Sequence, residues 1–140
     1  MIKIEAPGAV DIARYVPPFV KGLSVLYFDC NMNKRGIVLD LKSPRDKEIA
    51  YKLLETSDIF MENMRAGVAD RIGFGYEQVA KINPKIIYGT ANAWGTTGPM
   101  APISGADPSV QAFCGWTSIN GSLGGKPEMY RHVAHIDLTT

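Results

Sequence analysis

An asparagine and two arginines follow a short apolar stretch near the middle of the chain. Ile59-Phe60-Met61 is typical of a buried strand, and Asn63, Arg65 and Arg71 come soon after it, separated by a turn at Gly67. In open α/β sheets ligands bind at the carboxyl ends of strands, and side chains of this kind suit an anionic ligand there. The alternative is that both arginines are solvated surface residues.

A second group of reactive side chains lies near the end of the sequence. His132 and His135 are spaced i, i+3, and Asp137 follows two residues later. A metal site needs two or three converging ligands, and the sequence offers this group no further partner, so we expect no metal. Asp137 also follows a glycine-rich loop, and a carboxylate can act as a covalent nucleophile toward activated acyl groups. Spacing alone does not rank Asp137 above the other acidic residues.

Several common catalytic motifs are missing from the sequence. No G-x-G-x-x-G follows a predicted strand, and neither a P-loop nor a G-x-S-x-G elbow occurs. The serines and cysteines lack a recognisable general base. Dinucleotide binding and hydrolase chemistry are therefore not expected.

The composition indicates one globular domain spanning residues 1–140. The net charge is +1 and the longest basic run is Lys34-Arg35, so nucleic acid is not an expected partner. No apolar stretch reaches the roughly 18 residues of a membrane span, and Met1–Glu5 is typical of a strand and not of a leader. Cys30 and Cys114 are isolated in the sequence and lack metal-binding spacing, so we expect both to be free thiols in a reducing cytoplasm.

The elements that must position these side chains alternate between strands and helices. Apolar and β-branched runs predict four strands, at Ile2–Ile4, Gly36–Leu41, Ile59–Met61 and Lys85–Ala91. Capping residues and helical spacing predict three helices, from Pro44 to Thr56, from Tyr76 to Ile82 and from Asp107 to about Trp116. This alternation predicts an α/β fold with a doubly wound parallel sheet.

Three details of these elements can be tested. Asp11–Asn33 is predicted to be a long loop with an extended piece at Val25–Phe28. Ser43 is predicted to cap its helix through its side chain. The helix beginning near Asp107 is predicted to bury an apolar side made of Val110, Phe113 and Cys114.

Several short motifs, in one order from Ile2 to the last residue, resemble the class III CoA-transferase family. This family includes formyl-CoA and carnitine-CoA transferases and α-methylacyl-CoA racemase. The motifs that carry the resemblance are Ile2–Gly8, Asn33–Lys42, Glu62–Gly67, Arg71–Glu77, Asn83–Tyr88, Gly95–Pro99 and Gln111–Gly115. The resemblance implies an incomplete Rossmann-like α/β domain, truncated at both ends.

The resemblance also implies a binding site for coenzyme A. The implied CoA-contacting residues are Leu39, Asp40, Leu41, Lys42, Asn63, Met64, Arg65, Arg71 and Ile72. Lys42 and Arg71 are of the right chemical type, because ammonium and guanidinium groups pair with phosphates. No metal is implied.

The family's aspartate nucleophile has an Asp-x-x-Thr/Ser-Gly context, which Asp137-Leu138-Thr139-Thr140 matches. By resemblance, Asp137 would attack an acyl-CoA thioester and form a mixed anhydride. The released CoA thiolate would then form an aspartyl-CoA thioester, from which a small carboxylic acid would collect the CoA. The implied partners are therefore a CoA thioester and a small carboxylic acid.

The chain departs from the family pattern in informative places. Racemases of the family carry a histidine immediately before the aspartate that Asp107 matches, and Ala106 stands there, so racemase activity is not expected. Met64 replaces a phenylalanine. The family's opening βα unit, second domain and shielding glycine loop have no counterpart. Family members form interlocked dimers, so a homo-oligomer or a complementing chain is implied.

Two functions follow from these observations. The first is CoA transfer through Asp137, with activity depending on a complementing chain. The second is a catalytically inactive module that acts by CoA binding, self-association or protein interaction, because missing elements would leave apolar surface and a sheet edge exposed.

Overall fold

The computed structural model describes residues 1–8 and 11–129. Its strands are Ile2–Glu5 (β1), Phe19–Val20 (β2), Leu23–Ser24 (β3), Arg35–Val38 (β4), Ile59–Glu62 (β5) and Ile87–Thr90 (β6). Its α-helices are Val25–Asn31 (α1), Pro44–Glu55 (α2), Val68–Ile72 (α3), Tyr76–Ile82 (α4), Asp107–Phe113 (α5) and Trp116–Ile119 (α6), and a 3-10 helix covers Ile12–Tyr15. The chain forms two compact units, Met1–Ser57 and a second that begins at Asp58.

The first unit contains a parallel pair of strands, β1 and β4. Ile2 pairs with Arg35 and Glu5 pairs with Val38, and the ladder continues as the Leu39 amide donates to the Glu5 carbonyl at 3.0 Å. Both strands were predicted, although β4 ends before the predicted Leu41 because the chain turns there toward α2. The predicted doubly wound sheet also implies that β4 pairs with β5; these strands belong to different units, and that pairing stays a prediction.

Helix α2 begins at Pro44, as predicted, and ends at Glu55, one residue before the predicted Thr56. Its N-terminus is fixed by a different side chain from the predicted one. Ser43 makes no side-chain capping bond, whereas the carboxylate of Asp46 accepts a hydrogen bond of 2.8 Å from the Asp40 amide. Ala50 and Leu54 are the buried residues of this helix.

The predicted extended piece at Val25–Phe28 is wrong, because these residues belong to α1. The hydroxyl of Ser24 caps the helix by accepting from the Tyr27 amide at 3.3 Å, and it donates to the Val16 carbonyl at 2.6 Å. Strands β2 and β3 form a hairpin, and the capping serine is its last residue. A buried serine cap therefore starts a helix in a segment that apolar periodicity alone reads as extended.

The second unit is built on the parallel pair β5 and β6, which confirms the α/β class with parallel strands. Ile59 pairs with Ile87 and Glu62 pairs with Thr90. Helices α3 and α4 lie between the two strands in the sequence, and α4 has the predicted bounds. Neighbouring parallel strands joined through helices are the arrangement expected of this class.

One face of the β5–β6 pair carries an aromatic cluster. The Phe60 ring centroid lies 5.3 Å from that of Tyr88 and 6.3 Å from that of Phe74, and Tyr76 meets Tyr88 edge-on at 5.9 Å. Phe74 is only 1% exposed. The Tyr88 hydroxyl donates to the Phe74 carbonyl at 3.0 Å, which ties the end of α3 to β6.

The opposite face of the same pair is apolar and exposed. Ile59, Met61 and Ile87 are 57%, 64% and 63% exposed. Met61 and Gly89 are directly paired, and the Met61 sulfur occupies the space that a Cβ at Gly89 would need. This face differs from the aromatic one in having no covering element within the part of the unit that the structure describes.

The turn predicted at Gly67 is confirmed, and glycines bound α3 and the start of α4 for two different reasons. Gly67 and Gly73 have φ of 76° and 87°, the left-handed region that favours glycine. Gly75 has an ordinary φ, but a Cβ there would overlap the Asp70 carboxylate. The third glycine is therefore required by close packing and not by backbone conformation.

Helix α5 corrects the predicted apolar side. Asp107 is the first helical residue and Ala106 is the N-cap. Asp107 and Gln111 are the buried residues, and the Gln111 amide donates to the Asp107 carboxylate at 2.6 Å. Phe113 and Cys114 are exposed. The polar side can be buried because the two side chains, spaced i, i+4, satisfy each other.

Replacing Phe74 by alanine should destabilise the second unit strongly. The substitution leaves a cavity beneath β5 and β6, which costs about 3–5 kcal/mol for a buried phenylalanine. Denaturant unfolding followed by circular dichroism measures the loss. Phe19→Ala is the matched control, because Phe19 is 52% exposed and its loss should cost about 0.5 kcal/mol. Equal costs for the two variants would contradict the aromatic core.

Candidate functional site

The candidate site lies where β5 and β6 end. The Ala91 amide donates to the Glu62 carbonyl at 2.9 Å, which extends the ladder by one step. Beyond it, a cavity of about 60 Å³ is lined by Asn63, Arg65, Asn92, Ala93, Trp94, Ala101, Ile103 and Gly105. This volume holds about two water molecules, or one small group of a larger ligand.

After each of the two strands, a side-chain oxygen accepts a backbone hydrogen bond that stabilises the turn. The Glu62 carboxylate accepts from the Met64 amide at 2.6 Å, and the Asn92 side-chain oxygen accepts from the Trp94 amide at 3.3 Å. Such local bonds hold irregular backbone in place. Asn63 and Arg65 are exposed and Met64 is half-buried, so the first turn presents the asparagine and the arginine to solvent.

Trp94 forms one wall of this cavity and is held by close packing. Its ring meets Phe113 edge-on at 5.1 Å. A Cβ at Gly105 would overlap the Cβ of Ala93 and lie 2.7 Å from the indole Nε1 of Trp94. This Nε1 is buried and has no hydrogen-bond partner among the residues described. The loop containing Gly105 can therefore lie against the indole only because it carries no side chain there.

Arg71 lies in the last turn of α3, followed by the half-buried Ile72. A positive charge is favourable at this end of a helix. Arg65 and Arg71 are both exposed, and neither forms an ion pair within residues 1–8 and 11–129. Both guanidinium groups therefore remain available to an anionic ligand.

In the predicted CoA-contacting segment of the first unit, residues 39–42, the lysine is the residue most exposed to solvent. Leu39 is only 4% exposed, and Leu41 is half-buried. The Asp40 carboxylate accepts from the Lys42 amide at 3.0 Å and so closes the loop before α2. The Lys42 side chain is exposed. Lys42 thus supplies the ammonium group of this segment, and Asp40 has a structural role.

The reactive residues near the end of the sequence, His132, His135 and Asp137, lie outside the described residues. No group of three metal-ligating side chains occurs in the part of the chain that the structure covers. No helix found there is both long and apolar enough to cross a lipid bilayer.

Sequence reasoning identified Asn63 and Arg65 but missed Asn92, Trp94 and Gly105. One signal was available for the first of these. Asn92 directly follows the predicted strand that ends at Ala91, just as Asn63 follows β5, and adjacent parallel strands end at the same edge of a sheet. No local signal marks Trp94 and Gly105, because their proximity depends on how the intervening loop folds.

The chain belongs to CoA-transferase family III, whose model matches residues 1–140. It is 41% identical over 126 residues to acetyl-CoA:oxalate CoA-transferase of Acetobacter aceti. This alignment covers 90% of this chain and 32% of that protein. It is 39% identical over 141 residues to succinyl-CoA:glutarate CoA-transferase of Mus musculus, covering 100% of this chain and 32% of that protein.

Solved structures agree with this assignment. A CAIB/BAIF family protein from Brucella suis has a TM-score of 0.85 and 32% identity, covering 97% of this chain and 37% of that chain. Rv3272 from M. tuberculosis has a TM-score of 0.79 and 31% identity, and the match covers 91% of this chain and 36% of that chain. The resemblance predicted from the motifs is therefore confirmed, and the chain spans about a third of the curated relatives it matches.

Replacing Gly105 by alanine should disturb the wall of the site. The added methyl group forces Ala93 or the Trp94 indole to move, and overpacking of this kind costs about 1–3 kcal/mol. Tryptophan fluorescence and denaturant unfolding measure the change. Gly36→Ala is the matched control, because nothing lies within 4 Å of its Cβ position. An unchanged emission spectrum and stability in Gly105→Ala would contradict the packing described.

Proposed function

We propose that this chain supplies the CoA-binding residues and the nucleophile of a CoA transfer between an acyl-CoA and a small carboxylic acid. Membership of CoA-transferase family III is the observation that carries this proposal. The unpaired Arg65, just after β5, and the unpaired Arg71 of α3 support it, because a CoA phosphate needs cationic donors of this kind.

CoA binding is assigned to two groups of residues. Asn63, Met64, Arg65, Arg71 and Ile72 form the first, in which the exposed arginines bind phosphate and the exposed asparagine offers both a donor and an acceptor to an amide. Leu39, Asp40, Leu41 and Lys42 form the second. Its lysine is the phosphate-binding group, while its other residues hold the loop in shape.

Asp137 is proposed as the nucleophile. Its carboxylate attacks the thioester carbonyl and expels CoA as a thiolate, leaving a mixed anhydride. The thiolate attacks the carbonyl carbon of Asp137 and releases the first acid, which leaves an aspartyl-CoA thioester. The acceptor carboxylate attacks this thioester, which releases CoA as a thiolate and forms a second mixed anhydride with Asp137. The thiolate then attacks the acceptor's carbonyl carbon in that anhydride, which gives the acceptor's CoA thioester and restores the Asp137 carboxylate.

The residue before Asp107 supports transfer over racemisation. Abstraction of a proton beside a carbonyl needs a base, and Ala106, the N-cap of α5, has only a methyl group. Stabilising the tetrahedral intermediates needs preorganised donors as well. We assign these to a complementing chain or a second copy, as the family's interlocked dimers suggest.

A second candidate function is a module that binds CoA or a protein without catalysis. The exposed apolar face of Ile59, Met61 and Ile87 favours it, since parallel sheets are usually covered on both faces. CoA binding without any covalent adduct on Asp137 would select this alternative over transfer.

Replacing Arg71 by alanine should weaken CoA binding. Losing one charged hydrogen bond costs about 1.5–3 kcal/mol of binding free energy, which calorimetric titration of CoA into the purified chain measures. Arg45→Ala is the matched control, because Arg45 is an exposed arginine of α2 outside the proposed site and its loss should leave the affinity unchanged. A folded chain that binds no CoA, or equal losses in both variants, would refute the proposed site.

An activated carboxyl group should form on Asp137 when the chain meets an acyl-CoA donor and its complementing copy. Hydroxylamine converts either intermediate into a stable hydroxamate, and peptide mass spectrometry locates it. Asp137→Asn should abolish the product, whereas Asp29→Asn, which changes an exposed aspartate of α1, should not. A hydroxamate that never forms at residue 137 would sink the aspartyl mechanism.

A further inference from the structure

The cavity at the ends of β5 and β6 combines apolar walls with a few polar side chains. Its apolar walls include Ala101 and Ile103, and Asn63, Arg65 and Asn92 bring polar side chains to it. Of these three, Arg65 alone carries a charge, and its side chain is exposed. A charged group held between apolar walls needs opposite charges around it. A neutral polar group is therefore the better match for this space of about 60 Å³.

The carboxamide of Asn92 has a fixed orientation. Its Oδ1 atom accepts a hydrogen bond of 3.3 Å from the Trp94 amide, and only the oxygen end of a carboxamide can accept from an N–H. The side chain is half-buried, and its Nδ2 group has no hydrogen-bond partner among the residues described. Asn92 therefore contributes two free N–H donors to the lining, and its acceptor is already engaged.

Asn63 supplies the complementary acceptor from the neighbouring strand. It follows β5 as Asn92 follows β6, and the two strands are paired side by side. The Asn63 side chain is exposed and has no hydrogen-bond partner among the residues described, so either end of its carboxamide can face the cavity. A secondary amide has its C=O and N–H on opposite sides. A donor from one strand end and an acceptor from the next match that arrangement.

We propose that this cavity is the subsite for an amide of the pantetheine arm of CoA, with Asn92 as a specificity-determining residue. Its Nδ2 group donates to the carbonyl oxygen of the amide, and Asn63 accepts from the amide N–H. The exposed Arg65 binds the phosphate from which the arm extends. This inference rests on the proposed CoA binding, and it adds a residue that the family motifs do not assign. It explains how the chain distinguishes CoA from the same nucleotide without its arm.

Asn92→Ser tests this role because it removes the donor and adds no charge. The serine hydroxyl can still accept from the Trp94 amide and so keep the turn. Calorimetric titration should show that the variant binds CoA about tenfold more weakly, as expected when a hydrogen bond to a half-buried group is lost. The same titration with 3′-phospho-ADP, which is CoA without its pantetheine arm, should give the wild-type affinity.

Asn83→Ser is the matched control. Asn83 is also half-buried, and its Oδ1 accepts from the Lys85 amide at 3.1 Å in the same kind of turn, but it does not line the cavity. This variant should bind both ligands as the wild type does. Equal weakening of CoA and 3′-phospho-ADP in Asn92→Ser, or wild-type affinity for CoA in that variant, would overturn the subsite.

Arg71→Ala separates this inference from the proposed function. It should weaken both ligands, so a loss there beside unchanged CoA binding in Asn92→Ser refutes the subsite and leaves CoA binding in place. A folded wild-type chain that binds neither ligand refutes both proposals. Nuclear magnetic resonance gives a second readout and decides if Asn92→Ser fails to fold. Saturating CoA should shift the Asn92 side-chain amide protons and 3′-phospho-ADP should not, and protons that CoA leaves unmoved would refute the contact.

Discussion

The parallel ladder between β5 and β6 is the constraint on which the candidate site depends. Because the two strands end together, the residues that follow them, Asn63 and Asn92, line one cavity. The buried Phe74 and its hydrogen bond from Tyr88 hold the ladder against the preceding helix. Without that aromatic support, the polar turns after the strands would have no fixed position from which to bind a ligand.

The elements that sequence predicted well are those with strong local signals. Asn83-Pro84 ends α4 where the residue before proline leaves the helical region, and Pro44 starts α2. The errors arose where a side-chain hydrogen bond decided the outcome. A buried hydroxyl starts α1, and a carboxylate–amide pair makes the polar side of α5 the buried one. Neither hydrogen bond shows in the apolar pattern from which the two elements were predicted.

The candidate site, like the fold, could be predicted only in part from the sequence. Asn63 and Arg65 follow a strand and line the cavity, whereas Arg71 was predicted from the same segment and does not line it; CoA contact by these residues stays a prediction. Trp94 and Gly105 could not be found in this way, because their relation is one of shape. The site therefore combines residues set by the order of elements with residues set by how a loop folds back.

The pairing of Met61 with Gly89 has an evolutionary consequence. The methionine sulfur fills the volume above the glycine, so side chains at the two positions compete for the same volume on one face of the ladder. A larger residue at position 89 requires the exposed Met61 side chain to move aside or to be replaced by a smaller one. Among related sequences these two positions should change together, and their covariation would record the alignment of β5 against β6 without any structure at all.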